Sequence, residues 1–260
     1  MSEKDFSIWV GQLLPPFVTL VDTTFLISAS FLTSMLTAAF GIGGGTALIA
    51  LLALLLPPAA LIPIHSIVQL GSNAGRAAIM FSDIHWRPII PFSVGTLIGA
   101  GVAGFFVVQI PFWIVQIGLG GFIIWLVIKE IPPIPSPYIF LSGVVSSFLS
   151  MFFGATGNFV AAIVKSMRLS PVKHVATHSL MATSQHLIKV LVFGFVGFNF
   201  VPYLPLIIGM LTSGFIGTLI GRQFLVRSGN VYFKPILNCI LVLIALKLIA
   251  LGVQKFLSLT

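Results

Sequence analysis

Long apolar runs alternate with short polar punctuation along this chain, and run length sets the first expectation. A helix crosses the hydrocarbon core of a bilayer in about 20 apolar residues. Residues 17–40 reach that length, and runs at 63–81, 88–108 and 112–128 follow. Beyond a proline-rich stretch come runs at 138–153, 172–195, 202–226 and 235–256. Two further runs are short, 46–56 and 159–167, and each directly follows a glycine motif. The pattern predicts an all-α polytopic membrane protein with five segments in each half and short or broken helices after the glycine motifs. Ile131-Pro-Pro-Ile-Pro-Ser-Pro137 reads as a stiff linker, because its prolines cannot continue a helix. The expected organisation is an N-terminal segment 1–16, a first repeat 17–130, the linker 131–137 and a second repeat 138–256.

The halves echo each other at an offset of 113 residues. Gly41, Gly44, Pro58, His65, Ser66 and Arg76 answer to Gly154, Gly157, Pro171, His178, Ser179 and Lys189. One inserted residue later, Pro88, Pro91 and Gly95 answer to Pro202, Pro205 and Gly209. Repeats of this length, built around glycine breaks and intramembrane polar residues, are a common construction of secondary transporters. Five crossings per half is an odd number, so the two repeats are expected in inverted topology.

Composition agrees with membrane residence. The chain is 58% hydrophobic and 7% charged, against about 25% charged in an ordinary soluble domain. The net charge of +8 is a topology signal rather than a nucleic-acid footprint, because the basic residues sit mainly in short loops. With ten crossings, one side receives Arg87, Lys129, Lys165, Arg168, Lys173, Arg222, Arg227 and Lys234, and the other Lys4 and Lys255. If the short segments re-enter instead, Arg87 and Lys129 join Lys4 and Lys255. The positive-inside rule favours ten crossings, with both termini outside the cytoplasm. No cleavable signal peptide is expected, since Met1–Val10 is polar and mildly acidic. The single cysteine, Cys239, excludes an internal disulfide.

Three basic residues fall inside apolar runs: Arg76, Lys189 and Lys247. A mid-bilayer charge costs about 2.5–3.5 kcal/mol on insertion scales and usually faces a bundle interior or an aqueous cavity. The competing reading is snorkelling, since Arg76 and Lys189 are each placed about a turn from a helix end. Lys247 has no repeat partner and is expected to snorkel. Glu3, Asp5, Asp22, Asp83 and Glu130 all lie near termini or segment ends, so none is an obvious partner for Arg76 or Lys189. Asp22 is expected to be an interfacial, solvated acid. A buried cation without an acid points to an anionic ligand, with backbone carbonyls as the alternative.

His65, Gln69, Asn73 and Arg76 are spaced to form one stripe on a helix. His178, Gln185, His186 and Lys189 form a looser stripe in the second copy, interrupted by Ala182. Such stripes either bind a ligand or join helices by hydrogen bonds. Histidine could also carry a coupling proton. The glycine motifs, with Gly44, Gly45, Gly157 and Asn158, are placed just before the short helices. Unsatisfied N–H groups there can hold an oxyanion, or the glycines can be hinges and packing points. Gly95, Gly99 and Ala103, and Gly209, Ser213, Gly217 and Gly221, recur every four residues and read as packing faces.

The chain resembles the sulfite exporter TauE/SafE family of small permeases. The likeness rests on Phe40-Gly-Ile-Gly-Gly-Gly45, on Gly154-Ala-Thr-Gly157 and on the helix with His65 and Arg76, and runs from about residue 17 to 256. It implies movement of sulfite, sulfonates or related small sulfur-containing anions. The second motif has Asn158 where the first has Gly45, so the halves are not expected to bind a ligand identically. The leading expectation is a secondary transporter with Gly44, Gly45, His65, Gln69, Asn73, Arg76, Gly157, Asn158, His178, Gln185, His186 and Lys189 around a small anion. Its environment is the lipid bilayer of the cell (inner) membrane, without nucleic acid, cofactor, metal or catalytic residues, and a homo-oligomer is allowed. No ATP-binding loop of the Gly-x-x-x-x-Gly-Lys type occurs. The alternatives are an anion channel and an intramembrane enzyme using Ser66 or Ser179 with a histidine. The enzyme lacks an orienting third group.

Overall fold

Thr19 and Asp22 start the first helix, α1 (Leu20–Phe40), with a reciprocal cap: the Asp22 N–H donates to Thr19 Oγ1 at 3.1 Å, and the Thr19 N–H to Asp22 Oδ2 at 3.0 Å. Asp22 is thus more than the solvated acid expected; it is tied to a helix N-terminus, where a carboxylate is favourable. Gly41 ends α1 in the left-handed region, at φ 85°. The computed structural model describes residues 18–41, 43–107, 110–129, 131–225 and 233–259. The expected segment 1–16, with Lys4, and the basic residue Arg227 lie outside the described residues.

Among the described residues there are ten α-helices and no strand. After α1 come α2 (Gly44–Leu55), α3 (Pro58–Ile79), α4 (Ile89–Val107) and α5 (Phe112–Ile128). The second half has α6 (Ile139–Phe153), α7 (Gly157–Ser166), α8 (Pro171–Phe195), α9 (Leu204–Leu225) and α10 (Phe233–Leu257). Short 3-10 turns at Phe81–Asp83, Ser136–Tyr138 and Val201–Tyr203 fill three of the connections. Three helix starts correct the sequence reading. The glycine motifs do not stop short of the helices: α2 starts at Gly44 and α7 at Gly157. The run expected to begin at Pro63 begins at Pro58, because proline suits the first helical turn and Pro63 is carried inside the helix.

Glycine stripes set the packing. A Cβ on Gly217 or Gly221 of α9 would strike the carbonyls of Phe31 and Met35 on α1, and Gly209 faces Ile27. Both series ascend together, so α1 and α9 run parallel in close backbone contact. Ser30 Oγ donates to the Met210 carbonyl at 2.7 Å, and Ser213 Oγ to that of Ile27 at 2.8 Å. Gly95 and Gly99 of α4 meet the carbonyls of Phe140 and Val144 on α6 in the same way, again in parallel. These are the packing faces the four-residue spacing predicted. α5 and α10 are antiparallel, with Trp113 against Phe256 and Gly252 beside Ile117.

The remaining long pair, α3 and α8, crosses antiparallel in the middle. His65 meets His186 near one end of the contact, and the His85 N–H, just beyond α3, donates to Thr177 Oγ1 at 2.9 Å near the other. The C-terminal end of α3 packs on the start of α8 through Ala77, Met80, Val175 and Ala176. Beside it the starts of α4 and α6 meet the end of α7 through Phe92, Ile139 and Val164. The linker joins this end, with the Ile134 N–H donating to the Ala162 carbonyl at 3.1 Å. At the opposite end, the starts of α3 and α5 and the ends of α4 and α8 enclose an apolar cavity of about 350 Å³.

The outer surface is apolar. Phe195 is 89% exposed, Ile90 74% and Ile128 73%, which suits contact with lipid tails rather than water. Five helical segments are long and apolar enough to cross a membrane: Leu20–Phe40, Ile89–Val107, Ser136–Phe153, Val201–Gln223 and Pro235–Leu257. α3 and α8 are long enough as well, at 22 and 25 residues. Their polar stripes lower their hydropathy, and those stripes are buried. The protein is a multi-pass membrane protein whose most polar helices bury their polar stripes.

Candidate functional site

The two broken helices point their N-terminal ends at the α3–α8 crossing. Gly43 caps α2 at φ 99°, with no side chain completing the cap, and Thr156 caps α7, likewise without a side-chain bond. The first-turn N–H groups of both helices have no partner within their own helix and carry partial positive charge. Each motif is tied to a long helix by a histidine. His65 Nε2 donates to the Gly45 carbonyl at 3.0 Å, and His178 Nε2 to the Gly157 carbonyl at 3.2 Å.

Between these parts lies a polar cavity of about 30 Å³. α2 and its approach contribute Gly43, Gly45 and Thr46; α3 contributes His65, Gln69, Asn73 and Arg76. α7 and its approach contribute Gly154, Ala155, Gly157 and Asn158; α8 contributes His178, Ala182 and His186; α1 adds Thr37. A water fills roughly 10–15 Å³ by this measure, so the space holds about two.

Arg76 is 1% exposed and Lys189 0%, which removes the snorkelling reading for both. Lys189 sits six residues inside the end of α8, deeper than the single turn expected. Arg76 Nη2 donates to Asn73 Oδ1 at 2.8 Å, Nη1 to Ser72 Oγ at 3.1 Å and Nε to Ser179 Oγ at 3.3 Å. All three partners are neutral. Lys189 Nζ donates to Ser150 Oγ at 2.8 Å. The acids among the described residues are Asp22 and Asp83, and neither hydrogen-bonds to these cations. Lys247 is exposed on α10, as expected of a snorkelling lysine.

Nine of the twelve residues singled out in the sequence line the cavity: Gly45, His65, Gln69, Asn73, Arg76, Gly157, Asn158, His178 and His186. Three do not. Gly44 is pressed against α1, where a Cβ would strike the Thr33 carbonyl. Gln185 turns to α6, donating to Ser147 Oγ at 2.9 Å and Ser146 Oγ at 3.3 Å. Lys189 stands behind the wall, one turn from His186. Ser66 donates to its own helix at the Ile62 carbonyl, 2.6 Å away, and Ser179 serves Arg76. Neither hydroxyl is paired with a histidine.

Sequence reasoning passed over Thr37, Ser72 and Ser150. A signal for two of them existed, because Thr37 and Ser150 occupy equivalent repeat positions at the 113-residue offset. Beside them, Ser34 Oγ lies 2.9 Å from Ser72 Oγ, and its counterpart Ser147 accepts from Gln185. The serine and threonine rows of α1 and α6 thus hold the polar stripes of α3 and α8 in place.

The fold is an all-helical, multi-pass membrane bundle that buries two cations beside paired broken helices, with no acid bonded to either among the described residues. The family described as Sulfite exporter TauE/SafE matches residues 26–248, and the chain belongs to it. No curated protein and no solved structure matches the chain. Family membership makes the protein a permease for sulfur-containing anions and agrees with the resemblance seen in the sequence.

Proposed function

We propose that this protein is a secondary transporter that carries a small sulfur-containing anion, such as sulfite or an organosulfonate, across the cell (inner) membrane by alternating access. The observation that carries the reading is Arg76: fully buried, lining the cavity, and held by three neutral groups with no acid beside it among the described residues. A buried charge left without an opposite charge is costly, and an anion between Arg76 and the α2 and α7 tips would remove that cost. Gln69, Asn73 and Asn158 would shape selectivity. Lys189 would add charge from behind His186, and the histidines would shape selectivity or shuttle a proton. The cavity of about 30 Å³ has room for about two waters, and a small anion would take their place.

Two inverted repeats fit the helix directions. The parallel pairs α1–α9 and α4–α6 each join one helix from either half, and α3 and α8 cross antiparallel, as a two-fold axis in the membrane plane would arrange them. The end that gathers the linker and the starts of α4, α6 and α8 carries Arg87, Lys129, Lys165, Arg168 and Lys173. Lys255 lies beside Phe256 and Trp113 at the opposite end. This division supports ten crossings with the basic end in the cytoplasm and both termini outside it.

The experiment is sulfite flux into proteoliposomes. Wild type should saturate at transporter turnover, and Arg76→Ala should lose at least about tenfold, since a hydrogen bond to a charged group contributes about 1.5–3 kcal/mol. Unchanged flux in Arg76→Ala would remove Arg76 from the site, and single-channel currents would replace the transporter by a channel.

A further inference from the structure

Taking the cavity as the anion site, as above, we infer that the anion it accepts brings its own hydrogen-bond donor: a monoprotonated oxyanion such as hydrogensulfite, not a fully ionised or aprotic one. The observation is a set of buried acceptors without donors. His65 Nε2 and His178 Nε2 each face a backbone carbonyl, at 3.0 and 3.2 Å. A carbonyl only accepts, so in both rings the hydrogen is on Nε2. In the neutral ring Nδ1 then carries a lone pair. Both Nδ1 atoms are buried and have no hydrogen-bond partner, and His186 Nδ1 is in the same condition. His65 Nδ1 lies beside the Gly154 turn, 3.5 Å from where a Cβ there would stand, and both rings belong to the cavity lining.

Protonating these nitrogens is a poor remedy. It would place a further cation beside Arg76 and Lys189, and among the described residues no carboxylate lines the cavity. Water in the cavity can donate to the nitrogens, and when an anion displaces that water the donor left is the ligand's own. The wall thus has two characters. Arg76, the Gln69 amide and the two helix tips address negative oxygens. His65 and His178 address a proton. His186, with no hydrogen bond at either nitrogen among the described residues and its ring 5.7 Å from that of His65, is free to take either role. A sulfonate bearing only carbon and bare oxygens would satisfy the first set and leave the second empty. Buried acceptors left empty reject such an analogue far more strongly than an apolar pocket would.

Isothermal titration of the purified full chain tests this, with sodium sulfite and sodium methanesulfonate, from about pH 6 to about pH 8, across the second ionisation of sulfurous acid. Methanesulfonate keeps one charge throughout, so its curve reports any titration of His65, His174, His178, His186, Arg76 or Lys189; α2 and α7 add no titratable group to the wall. Sulfite affinity, counted on total sulfite, should fall by about tenfold per pH unit above that ionisation, as linkage to one proton requires. Methanesulfonate should bind with little pH dependence and at least about tenfold more weakly than sulfite at the acid end. His178→Leu should lower that preference. His178→Asn, which puts an amide near the place of Nδ1, should keep part of it. If His178→Leu does not fold, the wild-type comparison still decides. Sulfite binding that holds or tightens with rising pH, or methanesulfonate binding as tightly as sulfite, would overturn the inference and leave the anion reading standing. Failure of both anions to bind would overturn both.

Discussion

Gly44 and Gly157 hold equivalent places in the two motifs, yet their surroundings differ. A Cβ on Gly44 would run into the Thr33 carbonyl and Thr37 Oγ1, and backbone cannot move aside cheaply. A Cβ on Gly157 would meet only His178 Nε2, at 3.9 Å. Gly44→Ala should therefore destabilise the fold by about 1–3 kcal/mol, the usual range for overpacking, while Gly157→Ala should leave stability nearly unchanged. Gly45→Ala falls between, since its Cβ would press on the mobile end of Gln69 at 2.9 Å. Its damage should appear in anion affinity more than in melting temperature. Thermal unfolding in detergent, with and without sulfite, separates the three, and equal melting temperatures for Gly44→Ala and Gly157→Ala would refute the packing role of Gly44. At this scale the stripe residues were legible because helix periodicity places side chains four apart on one face. What Gly44, Gln185 and Lys189 touch was not legible, because it depends on α1 and α6, more than 30 residues away in sequence in the case of Gln185 and Lys189.

Helix existence could be read from run length, whereas helix starts could not. α2 and α7 begin inside their glycine motifs, and α3 begins five residues before Pro63. Glycine and proline are poor helix residues in isolation, but the first turn tolerates both, because its N–H groups have no partner within the helix. The packing faces of α4 and α9 were readable from small residues spaced by four. Their partners were not, and each turned out to be a parallel helix from the opposite half. α3 and α8 were legible as runs at 63–81 and 172–195, although their polar stripes keep them out of the segments apolar enough to count as spans by composition. Their polar stripes are buried against other helices, so lipid does not dictate the composition of those faces.

Across the whole molecule, the charges and the cavities describe a polarised object. Basic residues gather at one end, and an apolar cavity of about 350 Å³ opens at the other. In a Cys239→Ser background, a single cysteine at Arg168 should react with a membrane-impermeant thiol reagent only from the cytoplasmic side. One at Lys255 should react only from the opposite side. Labelling of both from the same side would end the ten-crossing, inverted account. Between these ends the two halves meet at Arg76, whose guanidinium on α3 reaches Ser179 on α8. The central claim is that this contact is the floor of an anion site. Its most direct test is the thermal stabilisation of purified protein by sulfite, which mass action sets at about 2.7 kcal/mol when the ligand stands at a hundred times its dissociation constant. Wild type should be stabilised by sulfite and not by sodium chloride at equal ionic strength, and Arg76→Gln should lose the sulfite response while still folding. Equal stabilisation of wild type and Arg76→Gln by sulfite, or a response to cations alone, would contradict the account.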